Sequence, residues 1–186
     1  QLIALTKEHF AKIENEAEIM NFFKDRAIFI FHEKGIERDV IDAVLNDEIG
    51  VVSYAFNKAK LLSEKRNDLS FKFAQESFIR VLNLANKTEC EKIDTQLFQT
   101  PSEKQLYTIF NEVKNNLSNI QTQFKAEETL SKLETLAEPI HQFFEHNMVM
   151  DSNESIKNNR LALINQIAKV IINYANLSLI EWKQHH

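Results

Sequence analysis

Few side chains in this sequence have the type and spacing that catalysis or metal binding requires. His141 and His146 lie five residues apart, about 140° around a helix, whereas a helical zinc site uses histidines at positions i and i+4. Cys90 lies between Glu89 and Glu91, without the neighbouring cations that activate a thiol. The two glycines are isolated and cannot build a glycine-rich phosphate loop. We therefore predict no catalytic residue, no metal site and no cofactor in this chain.

Charge is unevenly distributed along the chain, whose formal net charge is -5. Residues 56–87 contain seven Lys and Arg against three Asp and Glu, and residues 156–186 contain four against one. The blocks 1–55 and 88–155 are acidic, with net charges of -5 and -7. Any contact with a polyanion is therefore expected in the two basic blocks.

The first basic block contains a polar stripe at helical spacing. At about 100° per residue, Lys72, Arg80, Asn83 and Lys87, together with Glu76, fall within about 80° of one another. The apolar residues of the same segment fall on the opposite side: Phe71, Ala74, Phe78, Val81, Leu82 and Ala85. Cations and an amide on one face suit an RNA backbone and exposed base edges, but a merely solvated helix face has the same pattern.

Arg160, in the second basic block, has two interpretations. Its guanidinium could contact RNA, or it could pair with the acidic turn around Asp151 and Glu154. Both interpretations stay open at this point.

The composition predicts an all-α fold. Only two Gly and two Pro occur in 186 residues, so turn and hairpin signals are scarce while helix formers run throughout. The apolar periodicity predicts a bundle of about seven helices in a single domain, residues 1–186. These helices are expected at about 4–34, 38–45, 51–64, 69–87, 100–123, 127–146 and 151–179, with a loop at 88–99.

Several residues mark where these helices begin and end. Gly35 is placed as a helix C-cap, and Thr100, Pro101 and Glu103 form a capping box with proline at the first helical position. Pro139 must kink its helix or mark a restart. Asp151 with Glu154 resembles a second capping box.

Two groups of apolar residues are predicted to be buried. The phenylalanine pairs Phe22–Phe23 and Phe143–Phe144 lie within apolar helical patterns, which favours core positions over base-stacking platforms. The link from Met148 to Met150 is interpreted as buried, although methionines can also form an adaptable binding surface.

The segment 136–164, LAEPIHQFFEHNMVMDSNESIKNNRLALI, carries a family pattern. A proline-containing helix ends in a double Phe, and a Met-Val-Met link, an acidic spacer and an Asn-Arg-Leu-Ala-Leu helix start follow. The segment resembles the C-terminal anticodon-binding domain of the β subunit of bacterial glycyl-tRNA synthetase. Further similar segments follow in the family order: Asp25–Arg26, Asp39 to Leu45, Arg80–Val81 with Asn83 and Lys87, and Phe98 to Tyr107.

The resemblance implies a helical bundle like the anticodon-binding domains of that subunit and of class I-type arginyl-tRNA synthetases. It implies a cytoplasmic aminoacyl-tRNA synthetase whose α subunit, in a heterotetramer, carries out the ATP-dependent glycylation. The fragment itself would bind glycine tRNA without catalysing, with no membrane and no DNA as partner. On this interpretation the candidate tRNA-binding residues are Lys72, Arg80, Asn83, Lys87 and Arg160.

A second interpretation assigns the domain to protein docking, between subunits or within the parent chain, without RNA contact. It predicts an exposed apolar patch. The sequence begins at Gln1 rather than Met, which is typical of a segment cut from the C-terminal part of a longer chain. His185 and His186 are typical of a purification-tag remnant.

Overall fold

The chain forms a helical bundle, seen here in a computed structural model that describes residues 16–45, 51–85, 87, 91–121 and 124–182. These residues contain α-helices and short 3-10 helices but no strand. The α-helices are α1 (Glu16–Glu33), α2 (Arg38–Val44), α3 (Val52–Lys65), α4 (Leu69–Leu84), α5 (Pro101–Gln121), α6 (Ala126–Glu134), α7 (Ala137–His146) and α8 (Glu154–Tyr174). The 3-10 helices are η1 (Thr95–Leu97) and η2 (Leu177–Leu179). The predicted all-α fold is confirmed.

The core is built around α8, which packs against α4, α5 and α6. Helix α4 also packs against α7 and η2, and α5 packs against α6 and α7. The apolar residues that recur at helical spacing along α8 are buried, from Leu161 to Ile171. Phe71 and Phe78 of α4 and Phe143 of α7 are fully buried against them. Burial of one such side chain contributes about 1.5–3 kcal/mol, so α4 is firmly fixed to the bundle.

The predicted helix boundaries have clear physical causes. Gly35 has φ +80°, and the bonds from the N–H of Ile36 to Phe31 O (3.1 Å) and of Gly35 to His32 O (2.9 Å) complete a Schellman cap. At the start of α5, the Thr100 N–H donates to Glu103 Oε2 (2.7 Å) and the Glu103 N–H donates to Thr100 Oγ1 (3.4 Å). Both predicted caps are therefore confirmed.

The start of α8 differs from the prediction by two residues. Asn153, rather than Asp151, is the N-cap, and its side-chain oxygen accepts from the N–H groups of Ser155 and Ile156. Asp151 instead accepts from the N–H of Asn153 and so shapes the preceding turn.

Pro139 marks a restart rather than a kink in one long helix. Helix α6 ends at Glu134, and Pro139 is the third residue of α7. The first turn of a helix tolerates proline because its N–H groups have no intrahelical partner there. Predicted features that fall on residues 1–15, 46–50 (including Gly50), 88–90 (including Cys90) and 183–186 lie outside the described residues.

Some residues predicted to be buried are exposed. Phe22 and Phe23 on α1 are 67% and 43% exposed, and Met148 and Met150 in the α7–α8 link are 75% and 53% exposed. Val149, between the two methionines, is buried, as is Phe143. The core prediction is therefore wrong for the first phenylalanine pair and for both methionines. Among the described helices, none is long and apolar enough to cross a membrane.

Candidate nucleic-acid interface

The polar stripe predicted on residues 72–87 lies on the outer face of α4. Arg80 and Asn83 are exposed, and Lys72 is half-buried. The opposite face of the helix carries Phe71 and Phe78, both fully buried. The stripe is therefore a solvent-facing surface on a helix whose other face is anchored in the core.

The cations of this stripe have weak, solvent-exposed partners. Arg80 Nη1 lies 3.4 Å from Glu145 Oε1, and its guanidinium lies 4.5 Å from the centroid of the Phe144 ring. Lys72 Nζ lies 3.9 Å from Glu76 Oε1 and 5.0 Å from the Trp182 ring centroid. Exposed ion pairs contribute about 0–1 kcal/mol, so a phosphate can displace these carboxylates at little cost.

Lys87 is exposed but lies outside the helical stripe. Helix α4 ends at Leu84, and Ala85 is extended with φ -60° and ψ 154°, whereas the sequence predicted a helix that continued to Lys87. Lys87 therefore follows the C-terminal end of α4 rather than the row of Lys72 and Arg80.

Arg160 is buried, which corrects its place among the candidate RNA contacts. Its side chain is only 5% exposed. Its Nε donates to Glu103 Oε1 (2.7 Å), and its Nη1 donates to Met148 O (2.9 Å) and Asp151 Oδ2 (3.0 Å). The alternative interpretation, pairing with the acidic turn at Asp151, is the one that the geometry supports. Arg160 is a structural residue that joins α5, the α7–α8 link and α8.

A groove that the sequence reasoning missed lies beside the stripe, between α4 and the C-terminal part of α8. Its lining includes Asn83 on α4, Asn165, Lys169 and Asn173 on α8, and Asn176 beyond it. The signal was present, since Asn165, Lys169 and Asn173 follow one another at i, i+4 and i+8, the spacing of Lys72, Glu76 and Arg80. The apolar periodicity of α8 predicts its opposite, buried face and not this polar row.

Lys58 is a buried cation with a structural role. It is 7% exposed, its Nζ donates to Tyr174 O at the end of α8, and the Tyr54 and Tyr174 rings flank it at 5.0 and 5.5 Å. Burial lowers the pKa of Lys58 to about 8. Burial likewise raises the pKa of the Tyr54 and Tyr174 hydroxyls. The ammonium thus satisfies a helix-terminal carbonyl that water cannot reach.

Arg66 is a second buried cation, held by Glu37 (2.8 Å) and Asp39 (2.6 Å). Burial would raise the pKa of Asp39, but the N–H of Glu181 and the Arg66 guanidinium together hold it below its usual value. Neither Lys58 nor Arg66 can reach an external phosphate.

Within the described ranges, no three His, Cys, Asp or Glu side chains group closely enough to hold a metal ion. His146 Nδ1 lies 2.8 Å from Gln142 O, and His141 packs edge-on against Phe73 with 5.5 Å between ring centroids. The two histidines thus have separate local contacts.

The fold and this surface define an all-α domain with an exposed helix face that carries Lys72, Arg80 and Asn83. A family model described as "DALR anticodon binding domain" matches residues 74–183, more than half of the chain. The chain belongs to this family of anticodon-binding domains.

Proteins named glycine–tRNA ligase beta subunit are similar over most of this chain. The one from Oceanobacillus iheyensis is 46% identical over 168 residues, covering 90% of this chain and 24% of that protein. Those from Halalkalibacterium halodurans and Clostridioides difficile are 38% and 36% identical, covering 89% and 94% of this chain. The chain spans about a quarter of the length of these relatives.

Proposed function

We propose that this domain binds the anticodon region of a glycine tRNA within the β subunit of a glycine–tRNA ligase. The family match and the names of the similar proteins support the class of partner. The observation that carries the proposal for this chain is the outer face of α4, where Arg80 and Asn83 are exposed on a helix packed into the core.

In this proposal the domain positions RNA and does not catalyse. The ATP-dependent glycylation belongs to the parent complex with its α subunit, in the cytoplasm, and the domain itself holds no cofactor. Exposed Lys and Arg contact phosphates and fix the register of the RNA, while amide side chains bond the edges of unstacked loop bases.

The net charge of -5 confines binding to a small surface, which sets the expected salt dependence. Lys72, Arg80 and Lys87 are the cations of the proposed interface. At about 0.7 released counterions per contact to a single-stranded region, the slope of log K against log salt is about -2. A rise from 50 to 200 mM salt should then weaken binding roughly fifteenfold.

The experiment titrates the 186-residue chain with glycine tRNA and with a copy carrying a different anticodon, at several salt concentrations. We expect tighter binding to glycine tRNA and a steep loss of affinity with salt. Equal affinity for both copies would contradict anticodon recognition by this chain, and no binding at low salt would contradict tRNA binding altogether.

Arg80→Ala tests the α4 face directly. It should weaken binding to both tRNAs and lower the salt slope by about 0.7. Arg38→Ala is the matched control, because Arg38 is also an exposed arginine in a surface ion pair, with Asp42 at 2.9 Å, but it lies on α2 among acidic residues. Unchanged binding by Arg80→Ala would remove this face from the interface.

A second candidate function, docking to the rest of the parent subunit, is favoured by a separate observation on α1. Phe22, Phe29 and Ile30 are 67%, 55% and 42% exposed and fall on one side of the helix at 100° per residue. Helix α1 also lies outside the matched residues 74–183. Because the similar β subunits are about four times as long as this chain, their remaining part is the proposed occupant of this apolar face.

This candidate is tested by calorimetric titration of the chain with a β subunit that lacks this domain. Replacing Phe22 and Phe29 with Ser should abolish that binding, while Met148→Ser, an exposed apolar control, should not change it. Absence of binding by the unsubstituted chain would rule out this docking mode.

A further inference from the structure

We infer that the groove between α4 and the end of α8 receives one unstacked RNA base, whose hydrogen-bonding edge is recognised by Asn83, Asn173 and Asn176. This inference rests on the proposed tRNA-binding function and specifies where a base, rather than the backbone, is read. It follows from the shape of the groove, its charge, its free amides and its continuity with the α4 stripe.

The groove has a volume of about 340 Å³, and its lining mixes apolar and polar groups. Leu82 on α4 and Ala85 just after it contribute apolar lining, as do Ala168 and Ile172 on α8. A base is flat and apolar on its faces and polar at its edge, so a lining of both apolar and amide side chains suits it.

The charge of the lining distinguishes this groove from two others in the described structure. Its lining contains no Asp or Glu, and Lys169 lies within it. The groove beside α6 has three carboxylates, Glu64, Glu127 and Glu128, against two lysines, and the groove beside α2 has four acidic side chains against one arginine. Carboxylates repel the phosphates that accompany every base, so the amide-lined groove is the one of the three that suits RNA.

Two of its amides are available to a ligand. Asn83 and Asn173 are exposed, and within the described residues neither side chain has a hydrogen-bond partner. The Asn176 side-chain oxygen accepts from the Ser178 hydroxyl (2.6 Å), which orients this amide and leaves its NH₂ to donate. An asparagine offers both a donor and an acceptor, as required to match a base edge that presents one of each, such as the amino group and ring nitrogen of cytosine.

Asn83 connects the groove to the α4 stripe because it belongs to both. A strand whose phosphates contact Arg80 can therefore turn a base into the groove beside Asn83. At the groove, the exposed Lys169 ammonium pairs with the exposed carboxylate of Glu91, which a phosphate can replace. Backbone contacts thus border the groove on both helices.

Asn173→Ala separates base reading from backbone binding. It should weaken binding to glycine tRNA roughly tenfold, as expected for loss of a bidentate amide–base contact. Binding to the anticodon-swapped tRNA should stay unchanged, because that tRNA lacks the base that Asn173 reads. The salt slope should also stay unchanged, because no charge is removed. Asn115→Ala, an exposed asparagine on α5, is the control and should change neither affinity, and thermal melts check that both variants fold.

The outcomes distinguish this inference from the proposed function. If the unsubstituted chain binds both tRNAs equally, or if Asn173→Ala weakens both equally or neither, base reading in the groove is overturned while tRNA binding stands. If the unsubstituted chain binds no tRNA, the proposed function fails, and the groove assignment fails with it. If Asn173→Ala weakens binding to glycine tRNA alone and Asn115→Ala does not, the result supports base reading in the groove.

Discussion

Replacing Arg160 with alanine is predicted to destabilise the domain more than removing an exposed arginine. The Arg160 side chain is 5% exposed and its partner Glu103 is 1% exposed, with 2.7 Å between Nε and Oε1. Truncation leaves the buried Glu103 carboxylate without its counter-charge and removes the donor to Met148 O and Asp151. The loss of unfolding free energy in this variant therefore measures the cost of an uncompensated buried charge rather than the net contribution of the ion pair.

The magnitude follows from what remains bonded to Glu103. Breaking a buried ion pair costs about 3–5 kcal/mol. The N–H groups of Gln99 and Thr100 still donate to Glu103 Oε2 at 2.6 and 2.7 Å, which places the loss near the lower end, at about 3 kcal/mol. For a chain of this size, about 2–4 °C per kcal/mol converts this into a fall in Tm of roughly 6–12 °C.

Urea unfolding followed by circular dichroism at 222 nm measures the loss. Arg38→Ala, which breaks an exposed pair, should cost under about 1 kcal/mol. In a Glu103→Gln background, Arg160→Ala should cost about 2 kcal/mol less than in the unsubstituted chain, since no charge is stranded. A loss for Arg160→Ala no larger than that for Arg38→Ala would refute the reasoning.

Three further predictions concern other parts of the bundle. Burial lowers the pKa of Lys58 to about 8 in the folded chain, against its ordinary 10.5. Between these two pH values the unfolded chain binds more protons than the folded chain. Unfolding free energy should rise by about 2 kcal/mol from pH 7 to pH 9.5 and then fall above pH 10, where the raised pKa of Tyr174 acts in reverse; Lys58→Met should abolish the rise in urea titrations at several pH values. Gly35→Ala should lower the urea stability by about 1 kcal/mol, because φ is +80° while nothing lies within 4 Å of the added Cβ; an unchanged midpoint would contradict the left-handed cap. Met148→Ser and Met150→Ser should each shift stability by less than about 0.5 kcal/mol, because both side chains are exposed; a larger loss in a thermal melt would show that the link is buried.

Local signals in the sequence predicted the features that neighbouring residues determine. Thr100 and Glu103 satisfy each other's N–H groups within one turn, Gly35 adopts a conformation that other residues avoid, and Pro139 restricts the turn in which it stands. The exposed face of α4 was predictable for the same reason, because helical periodicity separates its polar side from the buried Phe71 and Phe78.

Features that depend on packing between distant segments were not predictable. The sequence shows that Phe22 and Met148 are apolar but not whether another element covers them. Both side chains are exposed. Arg160 meets Glu103 across 57 positions, a juxtaposition that no local pattern encodes. The amide-lined groove likewise requires Asn83 and Asn173 to meet at the packed ends of two helices.

Glu103 uses its two carboxylate oxygens for different helices, Oε2 for the start of α5 and Oε1 for Arg160 on α8. Asn153 caps α8 and Arg160 lies in its second turn, so Glu103 ties the start of α5 to the body of α8. Fraying of the α5 start therefore strands the buried Arg160 charge. The first turn of α5 and the second turn of α8 should therefore exchange their amide hydrogens as one cooperative unit. A substitution at position 103 consequently removes both the cap of α5 and the ion pair to α8.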